Sequence, residues 1–178
     1  MKKFEQYPVL TGSKVRLRPI TLEDTPLIVK WRNTPEVRSN FIFREPFTEE
    51  MHLNWMNTQV KTGKVIQYII EDLVSGTAVG SVYLRDIDPI HESAEYGIFI
   101  GEEQARGKGL GSETTRLFVD FALGGLELHR IFLRVIVGNS VAYQSYLNAG
   151  FVKEGIFHHM VKLDGEFHDV IFMARIAQ

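Results

Sequence analysis

Four glycines, Gly101, Gly107, Gly109 and Gly111, fall within residues 101–111. They join two strongly patterned segments. Before them, residues 94–100 form an apolar and aromatic run that reads as a strand. After them, Leu110, Thr114, Leu117, Phe118, Phe121 and Ala122 recur at helical spacing until Gly124 and Gly125 stop the helix. A strand that enters a helix through glycines leaves backbone N–H groups bare at the positive end of the helix dipole, a place suited to a phosphate. The stretch is no P-loop, because Lys108 is followed by Gly109 in place of Ser or Thr. No early βαβ unit surrounds it, so it lacks a dinucleotide fingerprint as well.

The remaining pattern supplies the elements around this loop. Residues 14–20 alternate polar and apolar side chains as a half-buried strand does. Thr21 and Asp24 have the spacing of a capping box, which opens a helix to about Asn33. Residues 34–47, with Pro35 and Pro46, read as an irregular connection, and Thr48 starts a second helix that Gly63 ends. Residues 65–71 and 78–85 form a hairpin through Ser75 and Gly76. In the strand that follows, Gly97 marks a bulge or a close backbone approach. Residues 130–137 are a buried strand, and Asn139 caps a short helix ending at Gly150. A final hairpin, 157–163 and 166–176, turns at Asp164 and Gly165 and is expected to set His159, Val161, His168 and Val170 on one face. The expected fold class is α/β (α+β): one domain over 1–178 with its core at about 14–176. Its mixed, mostly antiparallel sheet has six to seven strands flanked by about four helices.

With 178 residues the chain is long enough for one core and too short for two. Its 44% hydrophobic and 24% charged content is that of a globular domain. Twenty basic against twenty-two acidic side chains, with no basic stripe, argue against a nucleic-acid partner. No apolar run is long enough to span a membrane. The absence of cysteine removes disulfides and thiolate chemistry and agrees with a cytoplasmic location. The six histidines lie on separate elements or, for His158 and His159, on opposite faces of a strand, so no metal site is expected.

Gln104, Gly107 and Gly109, followed by Asn139, Tyr146, Gly150 and Phe151, resemble in spacing and element context two cofactor motifs of the GNAT superfamily of acetyl-CoA-dependent N-acetyltransferases. The resemblance implies a GNAT-like fold over nearly the whole chain and acetyl-CoA as co-substrate. It places Gln104, Arg106, Gly107, Lys108, Gly109, Leu110, Gly111 and Ser112 around the pyrophosphate and Asn139 on the pantetheine arm. Backbone groups of Ile98 and Ile100 would grip the thioester like an added strand, with a splay after Gly97 making room. Tyr146 would donate a proton to the departing thiolate. An alkylammonium near pKa 10.4 must first lose its proton, and Glu95, on the face shared by Gly97 and Phe99, is the candidate base. A non-catalytic acyl-CoA sensor with the same fold is the alternative.

The acceptor is a small-molecule or peptide amine. Trp31, Arg32 and Asn33, with Pro35, Arg38, His52 and Trp55, resemble acetyltransferases of nucleotide-linked amino sugars, which would put Arg38 on a diphosphate and His52 on the sugar or in the role of base. Residues 155–173 equally resemble spermidine and ribosomal-protein N-terminal acetyltransferases, and Glu45, Glu49 and Glu50 could attract a polyamine. The long terminal hairpin could also serve a homodimer.

Overall fold

The computed structural model describes residues 7–41 and 43–178. Eight strands form one sheet in the order β1-β2-β3-β4-β5-β6-β8-β7. They are β1 (Leu10–Thr11), β2 (Val15–Pro19), β3 (Ile66–Asp72), β4 (Thr77–Asp88), β5 (Ser93–Ile100), β6 (Arg130–Ile136), β7 (Val152–Leu163) and β8 (Glu166–Ile176). Every neighbouring pair is antiparallel except β5 and β6. The expected six to seven strands become eight because two-residue β1 is too short to leave a periodic signal. Helices α1 (Thr25–Arg32), α2 (Pro35–Arg38) and α3 (Glu49–Trp55) lie in the first half, α4 (Leu110–Asp120) and α5 (Ser140–Asn148) in the second. Helix α2 corrects the irregular connection expected over 34–47: Pro35 occupies the first turn, where its missing N–H costs nothing.

Two cores clamp the sheet. On the rear face α4 and α5 cover Leu17, Tyr68, Val82, Tyr96, Ile131, Leu133 and Met173, with Phe118 at 5.2 Å from the Tyr68 ring. On the front face α1 to α3 cover Ile69 and Phe99 with Ile28, Trp31 and Met56. Strand β5 belongs to both. Ala94, Tyr96, Ile98 and Ile100 face the rear while Glu95, Gly97 and Phe99 face the front, as strand alternation requires.

The capping box forms, with the Thr21 N–H donating to the Asp24 carboxylate at 2.8 Å. Asp164 and Gly165 turn the last hairpin with φ of 51° and 89°, the left-handed pair that a type I′ turn needs. The shared face expected for His159 does not form. A register shift between Phe157 and Val161 and a φ of 51° at His159 turn its ring onto Phe167, on the opposite face from His168.

Candidate active site

Strands β5 and β6 are laddered only where Ser93, Ala94 and Glu95 meet Arg130, Ile131 and Phe132. Beyond Glu95 they part, two residues earlier than the expected splay after Gly97. The opening therefore begins beside Tyr96 and exposes an edge of β5 on the way to the glycine loop.

The loop fits a diphosphate. Gly107 and Gly109 have φ of 72° and 80°, a left-handed backbone open to glycine, and Gly109 is the N-cap of α4. The Glu113 N–H is bonded to the Gly109 carbonyl, so the N–H groups of Leu110, Gly111 and Ser112 precede the first intrahelical bond and point outward. Leu110 buries its side chain in the rear core, which leaves its main chain as the useful part. Glu113 accepts from the N–H groups of Ser13, Lys14 and Val15 at 3.1, 2.7 and 2.9 Å, and Lys14 Nζ donates to the Lys108 carbonyl at 3.2 Å, tying the loop to β2.

Other predicted residues are placed less simply. Arg106 donates from Nε and a terminal nitrogen to the Ile100 carbonyl, both at 3.2 Å, so its guanidinium braces the loop against the end of β5. That occupies the Ile100 carbonyl and leaves Ile98 as the better-placed backbone contact for a thioester. Gln104 and Lys108 are exposed, and Ser112 Oγ meets Ser145 Oγ at 3.1 Å between α4 and α5. Asn139 caps α5 by accepting from the Ala142 N–H at 3.2 Å, and its amide donates to Asn40 at 3.4 Å.

Tyr146, on α5, packs edge-on against Tyr96 and Phe151 at centroid distances of 6.2 and 5.9 Å. Burial, reinforced by the Tyr83 phenol nearby, pushes its hydroxyl well above the ordinary phenol value, so it stays a proton donor at neutral pH. Tyr83 itself lies on the front face opposite Gly97. The two phenols thus approach the opening from opposite faces of the sheet.

Glu95 is 5% exposed and accepts from Arg85 Nε at 3.0 Å and from Arg134 at 2.7 and 3.1 Å. Burial pushes its carboxyl up, but the two guanidiniums outweigh that and hold it below the usual carboxylate range. A carboxylate held so firmly ionised is a weak proton acceptor, which counts against the role of base. Arg85, Arg134 and Tyr83 were not picked out from the sequence; the signal available was cross-strand pairing, since Arg85 stands directly opposite Glu95.

His52 is a correction. It is 1% exposed, bonded through Nδ1 to Thr25 Oγ1 at 2.9 Å and set edge-on to Phe47 at 6.2 Å. Burial lowers its pKa to about 4, so it is a neutral interior group out of reach of a sugar. Arg38 donates from Nε to the Arg44 carbonyl and lines a surface depression with Asn33, Arg44 and Asp164. Among the described residues no three His, Asp or Glu side chains gather as metal ligands, and no helix is long and apolar enough to cross a membrane.

A parallel strand pair that parts beside a glycine-started helix, with a half-buried phenol behind the gap, offers a free strand edge suited to a thioester and a helix end suited to a diphosphate. This defines an acyl-CoA-dependent acyltransferase. The acetyltransferase (GNAT) domain family matches residues 14–152, and the chain belongs to that family. It is an acetyl-CoA-dependent N-acetyltransferase. The spermidine N(1)-acetyltransferase of Vibrio cholerae is 30% identical over 160 residues, 89% of this chain and 91% of that protein. The Escherichia coli K12 spermidine N(1)-acetyltransferase is 28% identical over 92% of this chain and 86% of its own length. The crystal structure of the Vibrio cholerae spermidine N-acetyltransferase with CoA and spermine superposes with a TM-score of 0.85 at 28% identity, covering 93% of this chain and 96% of that one.

Proposed function

We propose that the acetyl group passes directly from the thioester to a primary amine that enters from the Tyr83 face of the β5–β6 opening, while coenzyme A enters from the α4 side. The opening beyond Glu95, with Tyr146 and Tyr83 on its two sides, carries this reading. The amine nitrogen bonds to the acetyl carbon, the carbon–sulfur bond breaks, the thiolate takes the proton of Tyr146, and the proton shed by the acylated nitrogen passes through water to restore the phenol. The diphosphate rests on the N–H groups of Gly107 to Ser112, and Ile98 lies along the pantetheine.

The nucleophile must be the neutral amine. Three guanidiniums, Arg32, Arg85 and Arg134, stand on the front face near Tyr83 against the buried carboxylate Glu95 and the exposed Asp86, 3.8 Å from Arg85. Such an excess of positive charge disfavours an ammonium and raises its neutral fraction, tenfold for each unit of pKa depression. Glu95 then serves to order Arg85 and Arg134 and leaves the proton of the amine to water.

Replacing Tyr146 with Phe tests the reading. Turnover should fall about 100-fold or more, the usual contribution of a positioned proton donor, while coenzyme A still raises the melting temperature. Unchanged turnover would remove Tyr146 from the reaction. The relatives are named for spermidine, which makes it the reference amine in the panel.

A further inference from the structure

Arg32 ends α1 with its guanidinium carbon 3.5 Å from the centre of the Phe41 ring and 4.8 Å from that of Phe47. Its Nε is buried and has no acceptor. Among the described residues no carboxylate pairs with it, in contrast to Arg18 on Asp24 and Glu71, Arg130 on Glu154 and Arg175 on Asp120. The charged neighbour that acts on it is another cation, Arg85, and beside both stands the Tyr83 phenol at the mouth of the opening.

A half-buried guanidinium with no counter-ion and an unpaired, buried Nε is unfavourable unless something completes it. Stacking on Phe41 fixes its plane, and a fixed fork of N–H donors matches a carboxylate or phosphate oxygen pair better than any other partner. The surrounding charge agrees. Arg85 and Arg134 share the one Glu95 carboxylate, and Asp86, 3.8 Å from Arg85, points into solvent. A polyamine bound here would add further cations to a cluster already positive.

We propose that Arg32 is the oxyanion-binding residue of the acceptor site: the amine this enzyme acetylates bears a carboxylate or phosphate, which Arg32 holds while the amine reaches over Tyr83 to the thioester. This rests on the direct-transfer reading above.

The test is a set of matched amines assayed by coenzyme A release. β-Alanine, 4-aminobutyrate and 6-aminohexanoate are each compared with the alkylamine of equal length, phosphoethanolamine with ethanolamine, and spermidine is included. For at least one length the acidic member should exceed its neutral partner about tenfold or more in kcat/KM, the size expected of a charge-assisted fork. The carboxylate and phosphate arms tell the two sources of the oxyanion apart. In Arg32→Gln the ratio should fall to about one, and Arg32→Lys should restore part of it, since it keeps charge and loses the fork. The proposal is overturned if spermidine and the neutral amines outpace every acidic one, or if Arg32→Gln leaves the ratio as it was. Melting temperature with each acidic amine, in wild type and Arg32→Gln, supplies a readout free of turnover. An Arg32-dependent rise with no acetylation of any amine would sink direct transfer and keep the oxyanion site; no rise and no acidic preference would sink the oxyanion site.

Discussion

The ring of Tyr83 lies across Gly97: a methyl group added at position 97 would stand 2.3 Å from Tyr83 Cζ and 2.5 Å from its hydroxyl oxygen. Gly97 is thus small so that a phenol from the neighbouring strand can reach the β5–β6 opening, which is the close approach its place in a strand predicts. Gly97→Ala should push Tyr83 aside and cost about 1–3 kcal/mol of stability, the range for overpacking. In the Tyr83→Ala background the same change should cost little. A double-mutant cycle by urea unfolding measures the difference, and additive effects would mean that the ring has room to move away.

Gly109 is held at φ 80° as the cap of α4, with Lys14 Nζ 3.1 Å from where a Cβ would sit. Alanine there should cost about 1–2 kcal/mol in backbone strain and turn the first N–H groups of α4. Coenzyme A should then raise the melting temperature less than in wild type. Gly111 is the control: its added Cβ meets only Ile100 Cγ1 at 3.9 Å, inside the helix, so Gly111→Ala should keep or slightly raise stability. Equal loss of coenzyme A stabilisation in both variants would show that loop volume matters and the left-handed cap does not.

What the sequence disclosed and what it hid follow from the range of the interactions involved. Strand alternation, the capping box at Thr21 and the Asp164–Gly165 turn are local and were legible, as was the glycine loop. The burial of His52 was hidden because an amphipathic spacing does not say whether Thr25, from another helix, closes over the ring. Glu95 looked like a free carboxylate because Arg134 comes from a strand 39 positions later, brought alongside only by the β5–β6 crossover. Arg32 entered only within the Trp31–Asn33 resemblance, because nothing in the sequence shows Phe41 and Phe47 closing on its guanidinium.

His52 gives the protein a pH dependence of known sign. Its folded pKa of about 4 lies below the ordinary 6.5, so the unfolded chain binds the extra proton as pH falls. The stability that neutral His52 preserves is complete above pH 6.5 and is lost between 6.5 and about 4, at up to roughly 1.4 kcal/mol per pH unit. Urea unfolding at pH 7.5, 6.0 and 5.0 should show this loss in wild type and a flatter profile in His52→Gln. Matching slopes in the two proteins would place the sensitivity in another group.

Arg134 tests the electrostatic account of how the amine is made reactive. If the front-face guanidiniums depress the ammonium of the bound acceptor, the pH at which turnover reaches its plateau lies below the amine's free value of about 10.4. Removing one positive charge weakens that depression. With Arg134→Gln the Glu95 carboxylate keeps Arg85, bonded at 3.0 Å, so it remains ionised and the cluster becomes less positive. The plateau should then move up by roughly one pH unit, a charge several Å away at the effective dielectric of a half-buried site. The profile of kcat against pH with saturating acceptor reads the shift, because it follows the bound complex. A downward move would contradict this account, since loss of an arginine raises the Glu95 carboxyl and the bound ammonium alike, and a profile left in place would separate the arginines from amine activation altogether.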